Sequence, residues 1–364
     1  MNTMIPGLHI NTIAEFMYHI GISGMSGVLI LYIIYAIASA LDGVYAISLC
    51  IPDGATGILP TASQRMSSEG KVGKAIYSYM TGGMLGVLFA MAMLPVLFIL
   101  LPFIQPFVQQ NMFLILIFAV SYVLLHNFRP VDLAVFLVAG IFGLYVLSGE
   151  NLIFPMFLGF FTLPMLMLKV KHVDIEENYA TKIMPKIPFI ASFATAIMYL
   201  VPGIATPSQI IILAGLFSSI KEEDFITALG AINASNIIYS ITMLDIIGKA
   251  RTGVAIVSED MYSATLIEHV FIAVCGAIIF IVSAYIIRNN IKQVAEFFKT
   301  FNNPVMRLIL GVYLIMLVYI INGPIGLLVA GVATLLGTVT ILLNAKRTNL
   351  MGSIILNVLK YYYR

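Results

Sequence analysis

The sequence predicts an all-α polytopic membrane protein. Three observations carry that reading: an apolar composition, long stretches without charge, and two halves that resemble one another. Of 364 residues, 60% are hydrophobic and 10% charged, against roughly 25% charged in a soluble domain. The mean hydropathy is +1.02. This composition excludes a soluble enzyme, a nucleic-acid-binding protein and a disordered chain, and makes the bilayer the main solvent. The net charge of +2 names no partner. Cys50 and Cys275 have neither a metal spacing nor a disulfide framework around them and read as buried thiols. With no tryptophan, an interfacial aromatic belt must use the 18 tyrosines.

A span needs roughly 20 apolar residues. The charge-free stretches give nine: 23–50, 75–101, 112–127, 131–148, 151–168, 225–248, 263–287, 305–322 and 324–344. The longest stretches are divided at Pro102–Pro106 with Gln109–Asn111, and at Asn322–Gly323–Pro324. Basic residues in short loops orient the array. Arg65, Lys71 and Lys74, then Arg129, then Lys169, Lys171, Lys182 and Lys186, then Arg288, Lys292, Lys299 and Arg307, then the tail with Lys346, Arg347, Lys360 and Arg364 all fall on one face. That face is expected to be cytoplasmic in a multi-pass protein of the cell membrane, with the amino terminus outside and the carboxyl terminus inside. Loop 249–262 is the exception, where Glu259 and Asp260 offset Lys249 and Arg251. No basic n-region with a cleavage site is apparent.

The halves are related. Met4–Ile5–Pro6–Gly7 resembles Leu200–Val201–Pro202–Gly203, Ala36–Ile37–Ala38–Ser39 resembles Ala231–Ile232–Asn233–Ala234–Ser235, and Tyr45–Ala46–Ile47–Ser48 resembles Tyr239–Ser240–Ile241–Thr242. The offset is 194 to 196 residues throughout. Five spans separate equivalent points, and an odd number turns the second copy upside down, the plan of many secondary transporters. The expected organisation is a first inverted repeat over 1–168, a cytoplasmic linker over 169–186, a second repeat over 187–344 and a cytoplasmic tail over 345–364. In the second copy, Ile187 to Leu200 is too short to span and reads as the descending arm of a re-entrant hairpin. The first copy has only Met1 to Met4 and Ile5 before its Pro–Gly, so either a segment precedes them or this copy lacks that arm.

A Pro–Gly break inside the membrane strips backbone amides of their partners and starts a new half-helix with its positive dipole end. Small polar side chains stand beside both breaks: His9, Asn11 and Thr12 in one, Thr206, Ser208 and Gln209 in the other. Two such ends facing each other favour an anion, a carboxylate or a phosphate. The candidate substrate site is therefore Pro6, Gly7, His9, Asn11 and Thr12 with Pro202, Gly203, Thr206, Ser208 and Gln209. Asp42 lies inside the first span and corresponds to Asn236 at an offset of 194; the pair is the candidate for ion coupling, with a helix–helix hydrogen bond as the plainer reading. Asp245 and Arg251 read as an interfacial pair, and Glu268–His269 as a solvated helix start. The sequence contains no HExxH, no P-loop lysine, no GxSxG and no TVGYG filter; no enzyme, catalytic residue or metal ligand is expected.

The segments IPGLHINT, ALDGVYAISLCIPDGATGILP, VPGIATPSQ and AINASNIIYSITMLDIIGKARTGVAI resemble the short stand-alone branch of the TctA family, the large membrane subunit of tripartite tricarboxylate transporters. The resemblance covers most of 4–110 and 195–287 and rests on the two Pro–Gly motifs combined with Pro52–Asp53–Gly54–Ala55–Thr56. It implies a transporter with a Pro–Gly motif opening each half. The chain is shorter than the tripartite subunit and offers no basic side chain at the midplane except His9, so a tricarboxylate is not implied. The expected function is secondary active transport of a small organic anion, coupled to Na+ or H+, with no other cofactor. A lipid-phosphate (polyprenyl-phosphate) flippase and a non-transporting membrane scaffold are the alternatives. The bilayer and a small anion or lipid phosphate are the expected partners, and nucleic acid is not; a homo-oligomer and a binding-protein partner stay open.

Overall fold

A computed structural model describes residues 10–49, 66, 69–125, 129–148, 152–167, 179–200, 221–248, 252–301, 304–345 and 347–363. The described residues contain helices and no strand. In chain order the helices are α1 Ile10–His19, α2 Gly24–Leu49, α3 Val72–Gln110, α4 Met112–Leu125, α5 Pro130–Val146, α6 Ile153–Phe157 and α7 Leu163–Met167. They continue as α8 Lys186–Met198, α9 Glu222–Ile247, α10 Gly253–Met261, α11 Leu266–Asn289, α12 Ile291–Phe301, α13 Pro304–Leu342 and α14 Gly352–Tyr363. Five are long and apolar enough to cross a membrane: Gly24–Ser48, Val72–Gln110, Glu222–Ile247, Leu266–Asn289 and Arg307–Leu342. Every stretch expected as a span lies on a helix, though three differ in form from the expectation.

The first is α3, which runs unbroken through Pro95, Pro102 and Pro106 for 39 residues, about 58 Å at 1.5 Å per residue. A proline removes one amide bond, but in lipid the rest of the backbone must still be paired internally. Continuing the helix loses less than unwinding it, so the expected end near 101 moves to Gln110. The second is the stretch 151–168, where α6 and α7 are joined by a π-helical turn over Leu158–Thr162. The third is α13, where Gly323 has φ +62 and ψ −159 just before Pro324. A methyl group added at Gly326 would come within 3.2 Å of Val318 Cγ1, whereas eight residues of straight helix span about 12 Å. The chain therefore doubles back at Asn322–Gly323–Pro324, as the sequence indicated. Leu314, Val318 and Ala330 of its two arms pack together with Leu158.

The helices form two groups. In the first, α9 is surrounded by α2, α3, α8 and α11, and every residue from Ile226 to Met243 is buried. Tyr32 of α2 meets Ser240 of α9, and Ser39 meets Asn233, so these two helices run antiparallel. Gly82 packs on Thr227 and Gly86 on Ala231, so α3 and α9 run parallel with their backbones nearly touching. Gly230 in turn packs on Tyr79. Side chains at these glycines would force the helices apart. Lys74 of α3 and Glu223 of α9 form an ion pair of 2.7 Å, and Arg288, in the last turn of α11, lies 5.4 Å from the Tyr77 ring. One end of this group thus collects Lys71, Lys74, Lys221 and Arg288.

In the second group, α13 packs on the π turn, α6 and α7, and α14 packs on α5. Arg129, just before α5, donates to the Asn344 carbonyl at 2.8 Å. Residues 347–363, expected as part of a tail, form a 3-10 turn and α14 instead. Leu350 and Met351 are buried with Met156, Phe160 and Ala333, and Tyr363 stacks on Phe113 at 5.6 Å. Ile354 and Ile355 pack against one core cluster and Val358, Leu359 and Tyr362 against another, which is why α14 packs rather than trails free.

The close approach of α3 and α9 yields a prediction. Gly86→Ala should destabilise the protein by about 1–3 kcal/mol, because its methyl would meet the Ala231 backbone. Gly331→Ala, with nothing within 4 Å, should be neutral or stabilising by up to about 1 kcal/mol. Thermal unfolding of both variants in one detergent checks the contrast.

Candidate functional site: a polar core where a half-length helix ends

Helix α8 begins among exposed residues at Met184–Lys186 and ends at Tyr199 and Leu200, each 1% exposed. Its 13 residues cover about 20 Å, less than the roughly 30 Å of a hydrocarbon core. It enters the protein and stops inside. Its last turn tightens, with the Tyr199 and Leu200 N–H groups donating to the Ala196 and Ile197 carbonyls, and the side chains around it are polar.

Those side chains come mainly from α9. Asn233 Nδ2 donates to the Ser39 carbonyl at 3.0 Å and to Tyr79 Oη at 2.7 Å. Ser235 Oγ lies 3.1 Å from the Gly86 carbonyl and 3.0 Å from Ser192 Oγ of α8. Ser192 Oγ is also 3.2 Å from Tyr239 Oη. The Tyr239 ring meets the Tyr199 ring at 6.2 Å, edge to face, and Tyr32 Oη bonds Ser240 Oγ at 3.0 Å. Tyr35 stands edge-on to Tyr32 at 5.9 Å, and Tyr199 lies within electrostatic reach of Tyr32, Tyr35 and Tyr239. The result is a cluster of phenols and hydroxyls, donors without charge, at the buried end of α8. Asn236 is 4% exposed, and its Oδ1 has no hydrogen-bond partner among the described residues.

Of the residues expected from sequence, Pro6, Gly7, His9, Pro202, Gly203, Thr206, Ser208 and Gln209 lie outside the described residues. Asn11 and Thr12 belong to the first turn of α1, and their side chains also lie outside the description. Asp42 is half-buried on α2, within electrostatic reach of Tyr35. Asp42 and Asn236 each follow the crossing residues Ser39 and Asn233 by three positions, and because α2 and α9 are antiparallel they stand one turn to either side of the crossing, about 9 Å apart along the helices. They are not brought together as one site.

Two groups were missed. The tyrosine cluster spans four separate helices, and only the helical spacing of Asn233, Asn236, Tyr239 and Ser240 on α9 hinted at it. The other is a hydrogen-bonded pair: His269 Nδ1 lies 2.7 Å from Asp245 Oδ2. His269 is buried rather than solvated, and Asp245 bonds it across to α11; Arg251 lies outside the described residues. Glu268 has a separate task. With Thr265 it forms a capping box at the start of α11, and it accepts a 2.9 Å bond from Tyr262 Oη. That bond to a carboxylate holds the Tyr262 phenol above its usual range.

Comparison with known proteins adds an archaeal relative and no family. The chain is 26% identical to the uncharacterized protein MJ1079 of Methanocaldococcus jannaschii over 394 aligned positions, covering 99% of this chain and 95% of that protein. No family model matches, and no solved structure matches.

The Asn233 bonds give a graded prediction. Tyr79→Phe should cost about 0.5–1.5 kcal/mol, since Asn233 keeps its bond to Ser39. Asn233→Ala removes both bonds and leaves a void, and should cost about 2 kcal/mol or more. Denaturant or thermal unfolding in a fixed detergent measures the order; equal losses would refute the shared role of Asn233.

Proposed function

We propose that the chain is a secondary active transporter of a small organic anion of carboxylate type, working by alternating access at two opposed Pro–Gly breaks and driven by a Na+ or H+ gradient. The observation that carries this reading is the burial of Tyr199 and Leu200 at the end of α8, two to three residues before Pro202–Gly203, inside a cluster of uncharged donors. A re-entrant arm that opens a half-helix into such a cluster can meet a carboxylate with amide and hydroxyl donors and no basic side chain.

The inverted-repeat reading has support of its own. Ser39 meets Asn233, which lies in the segment 231–235 that the sequence repeat pairs with 36–39. Equivalent segments meet in this way at a two-fold axis lying in the membrane. Gly82 and Gly276 are 194 positions apart; a methyl group at Gly82 would meet the Thr227 backbone, and one at Gly276 would lie 3.0 Å from Ile237 Cγ2 and 4.0 Å from the Tyr32 carbonyl. In this reading the basic end of the α9 group faces the cytoplasm, in the cell membrane.

The test is a thermal-shift screen of the purified chain against dicarboxylates, tricarboxylates and short-chain polyprenyl phosphates, with and without sodium. A bound carboxylate at 100 times its Kd should stabilise the fold by about 2.7 kcal/mol, and Tyr239→Phe should weaken that response. Stabilisation by lipid phosphates alone would transfer the site to a flippase. No response to either class would leave a membrane scaffold.

A further inference from the structure

We infer that Asp245 and His269 form a proton-binding site whose loading favours anion binding in the polar core. This rests on the transporter reading above and deepens it by assigning the coupling ion and its residues.

The pair joins α9 to α11 at the end opposite Lys74 and Glu223. The His269 side chain is 9% exposed and the Asp245 side chain 21%, so the imidazole is the more deeply buried of the two. Ionisable groups within spanning helices are costly and are concentrated in ion and proton pathways. Helix termination does not account for this one. Gln105 Nε2 takes the Ile247 carbonyl at 3.0 Å, Gly248 ends α9 at φ +64, and Thr265 with Glu268 caps α11.

The other titratable or charged residues at this end, among the described residues, include Glu268 on α11, Glu259 and Asp260 on α10, Tyr262 after it, and Glu15, Tyr18 and His19 on α1. Glu268 is held by Thr265 and Tyr262, and Glu259, Asp260 and His19 are exposed. From α3 this end receives the neutral Gln105. Histidine is the side chain whose charge ordinarily changes nearest neutral pH. A neutral imidazole beside a carboxylate takes one proton to become an imidazolium–carboxylate pair, and the net charge of the pair goes from −1 to 0.

Asp245 and Tyr239 lie on the same helix, six residues apart, about 9 Å along its axis. An anion in the polar core is repelled by the pair at −1 and not by the pair at 0. The two bindings therefore assist each other, and by linkage the assistance is reciprocal. Anion binding should take up a proton, and affinity should rise as pH falls.

The experiment is calorimetric titration of the purified full chain in nanodiscs with succinate and with citrate. It is run at pH 6.5 and pH 8, in two buffers of different ionisation enthalpy, with each anion's own ionisation subtracted. The wild type should bind about tenfold more tightly at the lower pH, the scale set by one unit charge at this separation, and should take up a fraction of a proton per anion. Asp245→Asn and His269→Gln should each flatten the pH dependence and abolish the uptake, while Glu259→Gln retains both. Binding by the wild type with equal affinity at both pH values, or without proton uptake, overturns the inference whatever the variants do, and leaves the transporter reading intact. Uptake that persists in folded Asp245→Asn and His269→Gln also overturns it. Binding of neither anion removes the carboxylate-transporter reading, and the coupling role with it.

Discussion

The structure depends on burying a polar helix. Among the five helices able to span a membrane, α9 is the one covered on every side, yet it carries Asn233, Ser235, Asn236, Ser240 and Thr242. A buried amide or hydroxyl left unpaired costs about 1–3 kcal/mol, so the neighbours must bring acceptors and donors to fixed positions. Ser39 and Tyr79 do so for Asn233, Gly86 and Ser192 for Ser235, and Tyr32 for Ser240. These bonds set the register of α2, α3 and α8 at once. The glycines of α3 serve the same end, since only a backbone at van der Waals contact lets the Gly86 carbonyl reach Ser235. Apolar packing among lipid-compatible side chains would not choose one register so sharply, because helices in a bilayer gain little from hiding apolar surface.

Much of this was legible in the sequence. Charge-free stretches located the helices, and the reversal at Asn322–Gly323–Pro324 followed from a residue that tolerates positive φ beside one that cannot continue a helix. The prolines of α3 do not end it, because in lipid an unwound backbone finds no other partners. Within the segment expected as a tail, Leu350 and Met351 are buried between Arg347 and Lys360, a packing that the charges do not indicate. Charge at the two ends of a segment says little about its middle.

The site was legible only in outline. Helix α8 ends at the buried residues Tyr199 and Leu200, while both Pro–Gly pairs lie outside the described residues. The partners of that terminus, Tyr32, Tyr35 and Tyr239, come from α2 and α9, which are far apart in the chain, and no spacing rule joins residues across helices. Asp245 and His269 illustrate the same limit. Each had a local explanation, an interfacial pairing for one and solvation for the other, and the contact between α9 and α11 replaces both.

Buried hydroxyls can serve simply as bonds between helices, or they can line a path that opens to water. The reactivity of position 192 separates these uses most directly. Ser192 is 0% exposed and touches both Ser235 and Tyr239. A Ser192→Cys variant, with Cys50 and Cys275 replaced, can be exposed to a small maleimide in nanodiscs. If the core is a transport site, the thiol reacts in the native protein as the site opens, and succinate slows the reaction. A thiol that reacts only after unfolding, or at a rate no carboxylate changes, would contradict the account and leave the polar core as internal bracing.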